Sequence, residues 1–183
     1  MRAGLLRHRV FFQRPTYSQD AIGEPDASFA NYADRRVDAR WLPGSEVLRD
    51  YSEFVGQAAD IRLRHTPGIT EDMRVLVPRE TTTLSAAVNA SVTTLPVASA
   101  AEFPPGGTYF VRVADELMQV TGGQGTASWT VTRAAGGTTA AAHSSGDPVL
   151  RMVPCDIENV ADPDGRGREM LVRAVYRGET ARV

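Results

Sequence analysis

Apolar and polar positions alternate along much of this chain, the period of half-buried β-strands and not of helices. In LLRHRVFFQRP (5–15), Leu6, His8, Val10 and Phe12 fall on one side and Arg7, Arg9, Phe11 and Gln13 on the other. Pro15 is expected to stop that strand, and the polar residues 17–28, with Gly23 and Pro25, read as a loop. A second strand is predicted over 36–42, with Val37, Ala39 and Trp41 on one face and Pro43-Gly44 ending it. Ser45–Gln57 is the best helix candidate, closed by Gly56, and a mobile loop is its competing reading. Residues 61–65 alternate again, Thr66-Pro67-Gly68 turns the chain, and 73–77 forms a short strand. Near the other end, 150–160 and 169–176 make a hairpin whose connection, 161–167, is dense in turn formers. Between these stretches lie short strands at 93–97, 109–113, 116–121, 128–132 and 148–150, then a small-residue loop at 134–145. The expected fold class is all-β: a small antiparallel barrel or sandwich with an inserted second small β domain and at most one short helix.

Composition divides the chain. Residues 80–150 carry two Arg and five acidic residues among 71 positions, while the other 112 positions hold 35 charged residues. The inner segment also contains 13 Ala and 12 Thr. The shift occurs twice, so a discontinuous outer domain, 1–79 plus 151–183, is expected to surround an inserted module, 80–150. The net charge of −2 gives no general pull toward nucleic acid or anionic membrane. All 20 basic residues are Arg, a residue suited to bidentate pairing across interfaces. Cys155 is alone, which excludes an intrachain disulfide and a Cys-based zinc site and suits a small buried hydrophobe. No run of apolar residues is long enough to span a membrane, and no secretory leader pattern is present.

The chemistry-bearing residues form no catalytic set. His143, Ser144 and Asp147 are the one tempting cluster, but triads are assembled from separate elements and no nucleophile elbow is present. His8, His65 and His143 lack metal-ligand spacing, and Asp156, Glu158, Asp162 and Asp164 lack the calcium-loop pattern. Neither an enzyme activity, a metal nor a cofactor is expected. Arg7, Arg9 and Arg14 suit either DNA phosphates or acidic side chains of a neighbouring subunit.

The outer segments resemble the head–tail joining family of tailed bacteriophages, also called head-closure or stopper proteins. The likeness is carried by LLRHRVFFQRP (5–15), VDARWLPGSE (37–46), IRLRHTPGITEDMRVLV (61–77) and MVPCDIENVADPDGRGREMLVRAVY (152–176). Family members run from the strand at Val75 directly into the closing hairpin, whereas here about 70 residues intervene. The insertion resembles a module attached to various phage virion proteins, through TTLPVASAAEFP (93–104), the strand at 116–120 and VTRAAGGTTAAAH (131–143).

That resemblance implies a structural neck protein of a tailed phage or phage-like particle, assembled in the host cytoplasm and carried in the virion. It implies a homo-oligomeric ring, six- or twelve-fold, that closes the DNA-filled head below portal and adaptor proteins. Tail terminator or tail tube proteins would dock beneath, and packaged double-stranded DNA is a further contact in the channel. The segment after the Trp-bearing strand, 44–60, would reach that channel, with Glu46, Arg49, Asp50, Tyr51, Glu53 and Phe54 as gating candidates. Arg7, Arg9, Arg14, Arg62 and Arg64 are the subunit-interface candidates. The alternative is a tail accessory protein whose inserted module binds a receptor or sugar; a cell-wall hydrolase is disfavoured for want of a catalytic set.

Overall fold

The computed structural model describes residues 4, 6–19, 25–42, 45–49 and 52–177. Eleven strands account for nearly all the regular structure of these residues: β1 His8–Gln19, β2 Pro25–Trp41, β3 Ser45–Arg49, β4 Ser52–Arg64, β5 Arg74–Thr83, β6 Thr94–Pro96, β7 Tyr109–Val113, β8 Glu116–Gly122, β9 Ser128–Thr132, β10 Pro148–Ala161 and β11 Glu169–Tyr176. A single 3-10 turn, Ala135–Gly137, is the one named helical element. The fold is all-β, as the alternating pattern predicts. The chain divides into two compact units, Met1–Val77 with Pro154–Val183, and Pro78–Val153. Both crossings fall inside a strand, in β5 and in β10, and each immediately precedes a proline, Pro78 and Pro154. Proline supplies no N–H to a ladder, so each crossing coincides with a gap in backbone pairing potential.

In the first unit, β1 pairs antiparallel with β2 along its whole length and with β5 through Phe11↔Leu76, Phe12↔Val75 and Gln13↔Arg74. β2 pairs β4, β4 pairs β11, and β11 pairs β10. β10 also neighbours β5, and Ile157 N–H donates to Met73 O at 3.3 Å, so the order β11-β4-β2-β1-β5-β10 returns to β11 as a closed barrel. Alternation sends Val10, Phe12, Val37, Ile61, Leu63, Val75, Met170, Val172 and Ala174 into the interior, all at 5 % exposure or less. Each large apolar side chain removed from water there contributes about 1.5–3 kcal/mol. Cys155 is buried as well. Trp41, the last residue of β2, is partly buried.

Four expectations are corrected here. Pro15 does not stop β1, which continues to Gln19, and residues 17–19 and 25–28 extend the β1–β2 ladder where a loop was expected. β5 leaves β1 after Gln13, so beyond that point β1 is an edge strand, where a proline is tolerated. The extension is exposed on both faces and therefore shows no apolar alternation. Ser45–Gln57 is neither helix nor loop: β3 and β4 pair through Ser45↔Gly56, Glu46↔Val55, Val47↔Phe54, Leu48↔Glu53 and Arg49↔Ser52. Val47, Phe54 and Val55 favour strand over helix. Residues 148–150 and 150–160 are one strand, β10. Phe11, on the face opposite Phe12, is also buried, at 1 %, and the Arg9 guanidinium lies 5.9 Å from its ring centroid.

The second unit orders its strands β10-β7-β8-β9-β6. Val111, Val113, Met118, Val120, Val131 and Val149 form its core with Leu84, Leu95 and Val97. Phe103, Tyr109 and Trp129 meet there, with ring centroids 4.9 Å apart for Phe103–Trp129 and 5.9 Å for Tyr109–Trp129. Gly123 turns β8 toward β9 at φ 73°, and a Cβ at that position would collide with Ser128 O, so only glycine fits.

Each unit has its own apolar interior, which sets an expected outcome. Replacing residues 79–150 with a short Gly-Ser loop leaves a barrel with a cooperative thermal melt, because closing a surface loop depends only weakly on its length. Loss of that melt would mean that the two units stabilise one another.

Candidate interaction surface and the Glu116 centre

The outward residues of β2, β4 and β11 lay charge across one face of the barrel. Register places Arg62 between Asp38 and Leu171, Asp60 between Arg40 and Arg173, and Arg64 beside Glu169. Asp60 and Arg173 form a bidentate pair at 2.9 and 3.2 Å, which holds the Arg173 guanidinium above its ordinary pKa. Asp38, Arg40 and Arg62 make no side-chain hydrogen bond or ion pair with any described residue. Together with Asp60 and Leu171 they line a shallow pocket of about 230 Å³.

The five interface candidates separate on this face and at its margin. Arg9 is held internally by Asp34, with its Nε 2.9 Å from the carboxylate. Arg14 stacks over the Tyr32 ring at 4.2 Å and donates to Gly68 O at 3.3 Å. Arg7 is exposed and donates only to Gly4 O, at 3.4 Å. Arg62 and Arg64 are exposed on β4. Among the described residues, Arg7, Arg62 and Arg64 make no ion pair, whereas Arg9 and Arg14 are engaged within the barrel. Of the gating candidates, Glu46 and Arg49 lie on β3, and Glu53 and Phe54 on the part of β4 that pairs only with β3. Asp50 and Tyr51 lie outside the described residues.

The most perturbed ionisable group sits in the second unit. Glu116 opens β8, and its side chain is fully buried. Burial alone would raise its pKa. Bonds from Arg133, Ala141 N–H, His143 and Ala134 N–H outweigh that effect and lower it from 4.5 to about 2. Arg133 grips the carboxylate bidentately, Nε to Oε1 and Nη2 to Oε2, both at 2.7 Å. The His143 ring nitrogen Nε2 lies 2.8 Å from Oε2 and donates to it. The remaining guanidinium hydrogens reach the carbonyls of Asn89, Val92 and Ala141 at 2.8, 2.9 and 2.6 Å. One buried ion pair thus ties both long loops of the unit, 84–93 and 133–147, to β8 and β9. A backbone bridge reinforces it: Val88 N–H donates to His143 O and His143 N–H to Val88 O, each at 2.9 Å.

This geometry rules out the His143–Ser144–Asp147 cluster as a triad. The Nε2 atom of His143 is taken by Glu116, and Asp147 Oδ2 accepts from Ser144 N–H at 2.8 Å, a turn contact. The His143 side chain instead bonds a buried carboxylate. Glu116 itself escaped sequence reasoning. Its signal is a lone acid beginning an apolar strand, in a segment with only two arginines, one of them at the end of the next strand. His8 Nδ1 accepts from Ala39 N–H at 3.3 Å and His65 is exposed. Among the described residues no group of three or more His, Cys, Asp or Glu is placed to hold a metal.

Residues 1–82 match the family model of the phage head completion protein, which supports the head-closure family for this part of the chain. No curated protein matches the chain.

The Glu116 centre makes stability acid-sensitive in a defined window. The folded-state pKa lies below the unfolded value, so its contribution is complete above about pH 4.5 and disappears as pH falls toward 2. A shift of that size corresponds to about 3 kcal/mol. Glu116→Gln leaves the Arg133 charge buried without an anion and is expected to destabilise the second unit by about 3–5 kcal/mol. Denaturant melts between pH 2 and 7 measure both effects; an unchanged midpoint in the variant would contradict them.

Proposed function

We infer that the chain is a neck protein whose barrel forms a ring beneath the portal and adaptor, closes the DNA-filled head and offers the tail its attachment platform. The observation that carries this reading is the family match over residues 1–82, which spans β1 to β4 and most of β5. Arg7, Arg62 and Arg64 stay outward on a domain of nearly balanced charge, which suits a contact with acidic groups of a neighbouring copy in a six- or twelve-fold ring. Head components would bind above and tail terminator or tube proteins below, in a particle assembled in the host cytoplasm.

The β3–β4 ladder is the proposed closure element. Its strands reach past Gln57, where the pairing of β4 with β11 ends, so the ladder extends away from the barrel. The sequence of that stretch holds Glu46, Asp50 and Glu53 against Arg49 alone. An excess of acid keeps a channel-facing element from binding DNA phosphates tightly, since each neutralised phosphate adds salt-dependent affinity. Mechanism here is geometric: a hairpin blocks the bore without gripping its contents.

Particles made without this gene are expected to package DNA and then lose it, with free tails beside emptied heads in electron micrographs. Deleting residues 45–56 alone is expected to give the same leakage from heads that still carry the protein. Normal infectious particles from a clean gene deletion would refute head closure, and full heads from the hairpin deletion would refute the closure element only.

A further inference from the structure

Beyond Gln13, β1 and β2 pair only with each other, through Gln19↔Pro25. At about 3.3 Å per residue, residues 14–19 carry this ribbon roughly 20 Å past its last contact with β5. The pairings Pro15↔Phe29 and Tyr17↔Ala27 gather Pro15, Tyr17, Ala27 and Phe29 on one face. Arg14 and Tyr32 stack on the other. The aromatic rings near the base of the ribbon are capped by guanidinium groups: Arg14 covers Tyr32 at 4.2 Å and Arg74 covers Phe29 at 3.7 Å. Tyr17, farther out, has no such cap. It is 69 % exposed, against 40 % for Tyr32 and 38 % for Val92, the other large exposed hydrophobics.

The complementary chemistry lies on the barrel's outer face. The pocket there is lined by Leu171, by two guanidinium groups, Arg40 and Arg62, and by the Asp38 carboxylate, and these three charged groups bond no side chain among the described residues. A phenol satisfies all of these together. Its ring covers Leu171, the cations lie over its π-face, and its hydroxyl donates to Asp38. The pocket's own molecule does not fill it, because Tyr17 of the same chain stands exposed.

We propose that Tyr17 of one copy seats in the Asp38–Arg40–Arg62–Leu171 pocket of the next copy in the ring. The contact is heterologous, arm to pocket, so it propagates from copy to copy and makes a ring where the rotation closes, not an isologous pair. It rests on the ring reading above and names the surfaces that make the ring. It also accounts for a hairpin whose outer residues 16–19 stand exposed.

Photo-crosslinking in assembled particles tests it. Tyr17 is replaced by the photoreactive, still aromatic p-benzoylphenylalanine, in particles assembled from a mixture of isotope-labelled and unlabelled copies. Irradiation is expected to join residue 17 to peptides containing Asp38–Arg40, Asp60–Arg62 or Leu171, with adducts that pair one labelled and one unlabelled chain. Adducts within one chain only, or on other surfaces, would overturn the contact. Native mass spectrometry of the necks separates this from the ring reading: rings with the wrong adducts refute the contact alone, and the absence of any ring refutes both. A second measurement avoids the photoreactive residue. Tyr17→Ser is expected to weaken subunit association roughly tenfold or more, while Tyr17→Phe, which loses only the hydroxyl, loses less. Neither should move the monomer's melting temperature, because Tyr17 is exposed. Equal association of wild type and Tyr17→Ser would also overturn the proposal.

Discussion

The register of β1 is the constraint on which the first unit depends. Phe11, Phe12 and Gln13 are paired on both sides at once, to Asp34, Ala33 and Asn31 of β2 and to Leu76, Val75 and Arg74 of β5. A slip by one residue would turn Val10 and Phe12 toward water and bring Arg9 inside, so this register is strongly specified. The bulge between Phe12 and Gln13 falls where β1 is about to leave β5. Gln13 is nearly fully buried there, and its amide is satisfied by Asn31 at 3.0 Å and Arg74 at 2.7 Å. From that point outward the hairpin pairs with no third strand among the described residues, and Arg14–Gly68 and Arg74–Phe29 tie its base to the barrel. The same register that closes the core therefore also aims the ribbon and lays out the arginine face.

The second unit is organised by a charge where the first is organised by a register. Glu116, Arg133 and His143 place ionisable groups in a region otherwise made of Val, Leu, Met and aromatic rings. Such a centre is costly to desolvate and stabilises only when every donor and acceptor is used. Here the carboxylate accepts from two side chains and two backbone amides, while the guanidinium also reaches three carbonyls. Its structural consequence is loop order: small residues such as Ala134, Gly136 and Gly137, all at positive φ, follow a path fixed by the ion pair instead of by apolar packing.

What was legible in the sequence follows from which forces leave a periodic trace. Strands with one wet face wrote themselves plainly: Ile61 and Leu63 against Arg62 and Arg64, or Tyr109, Val111 and Val113 against Phe110 and Arg112. The β1–β2 extension did not, since neither of its faces is buried and a proline sits within it. The β3–β4 ladder was misread because mixed polar residues over 45–57 satisfy neither period cleanly. Of the candidate site residues, exposure on β4 was readable for Arg62 and Arg64, but the internal partners of Arg9 and Arg14 depend on Asp34, Tyr32 and Gly68, which are distant in sequence. The Glu116 centre joins residues up to 44 positions apart and leaves no periodic mark.

Electron cryo-microscopy of the neck of the intact particle tests the assignment most directly. Closure of the head by this chain requires density for its β-barrel as a cyclic ring between portal and tail, with the β3–β4 hairpins converging on the bore. Finding the barrel at the tail tip, or a neck from which it is absent, would contradict it.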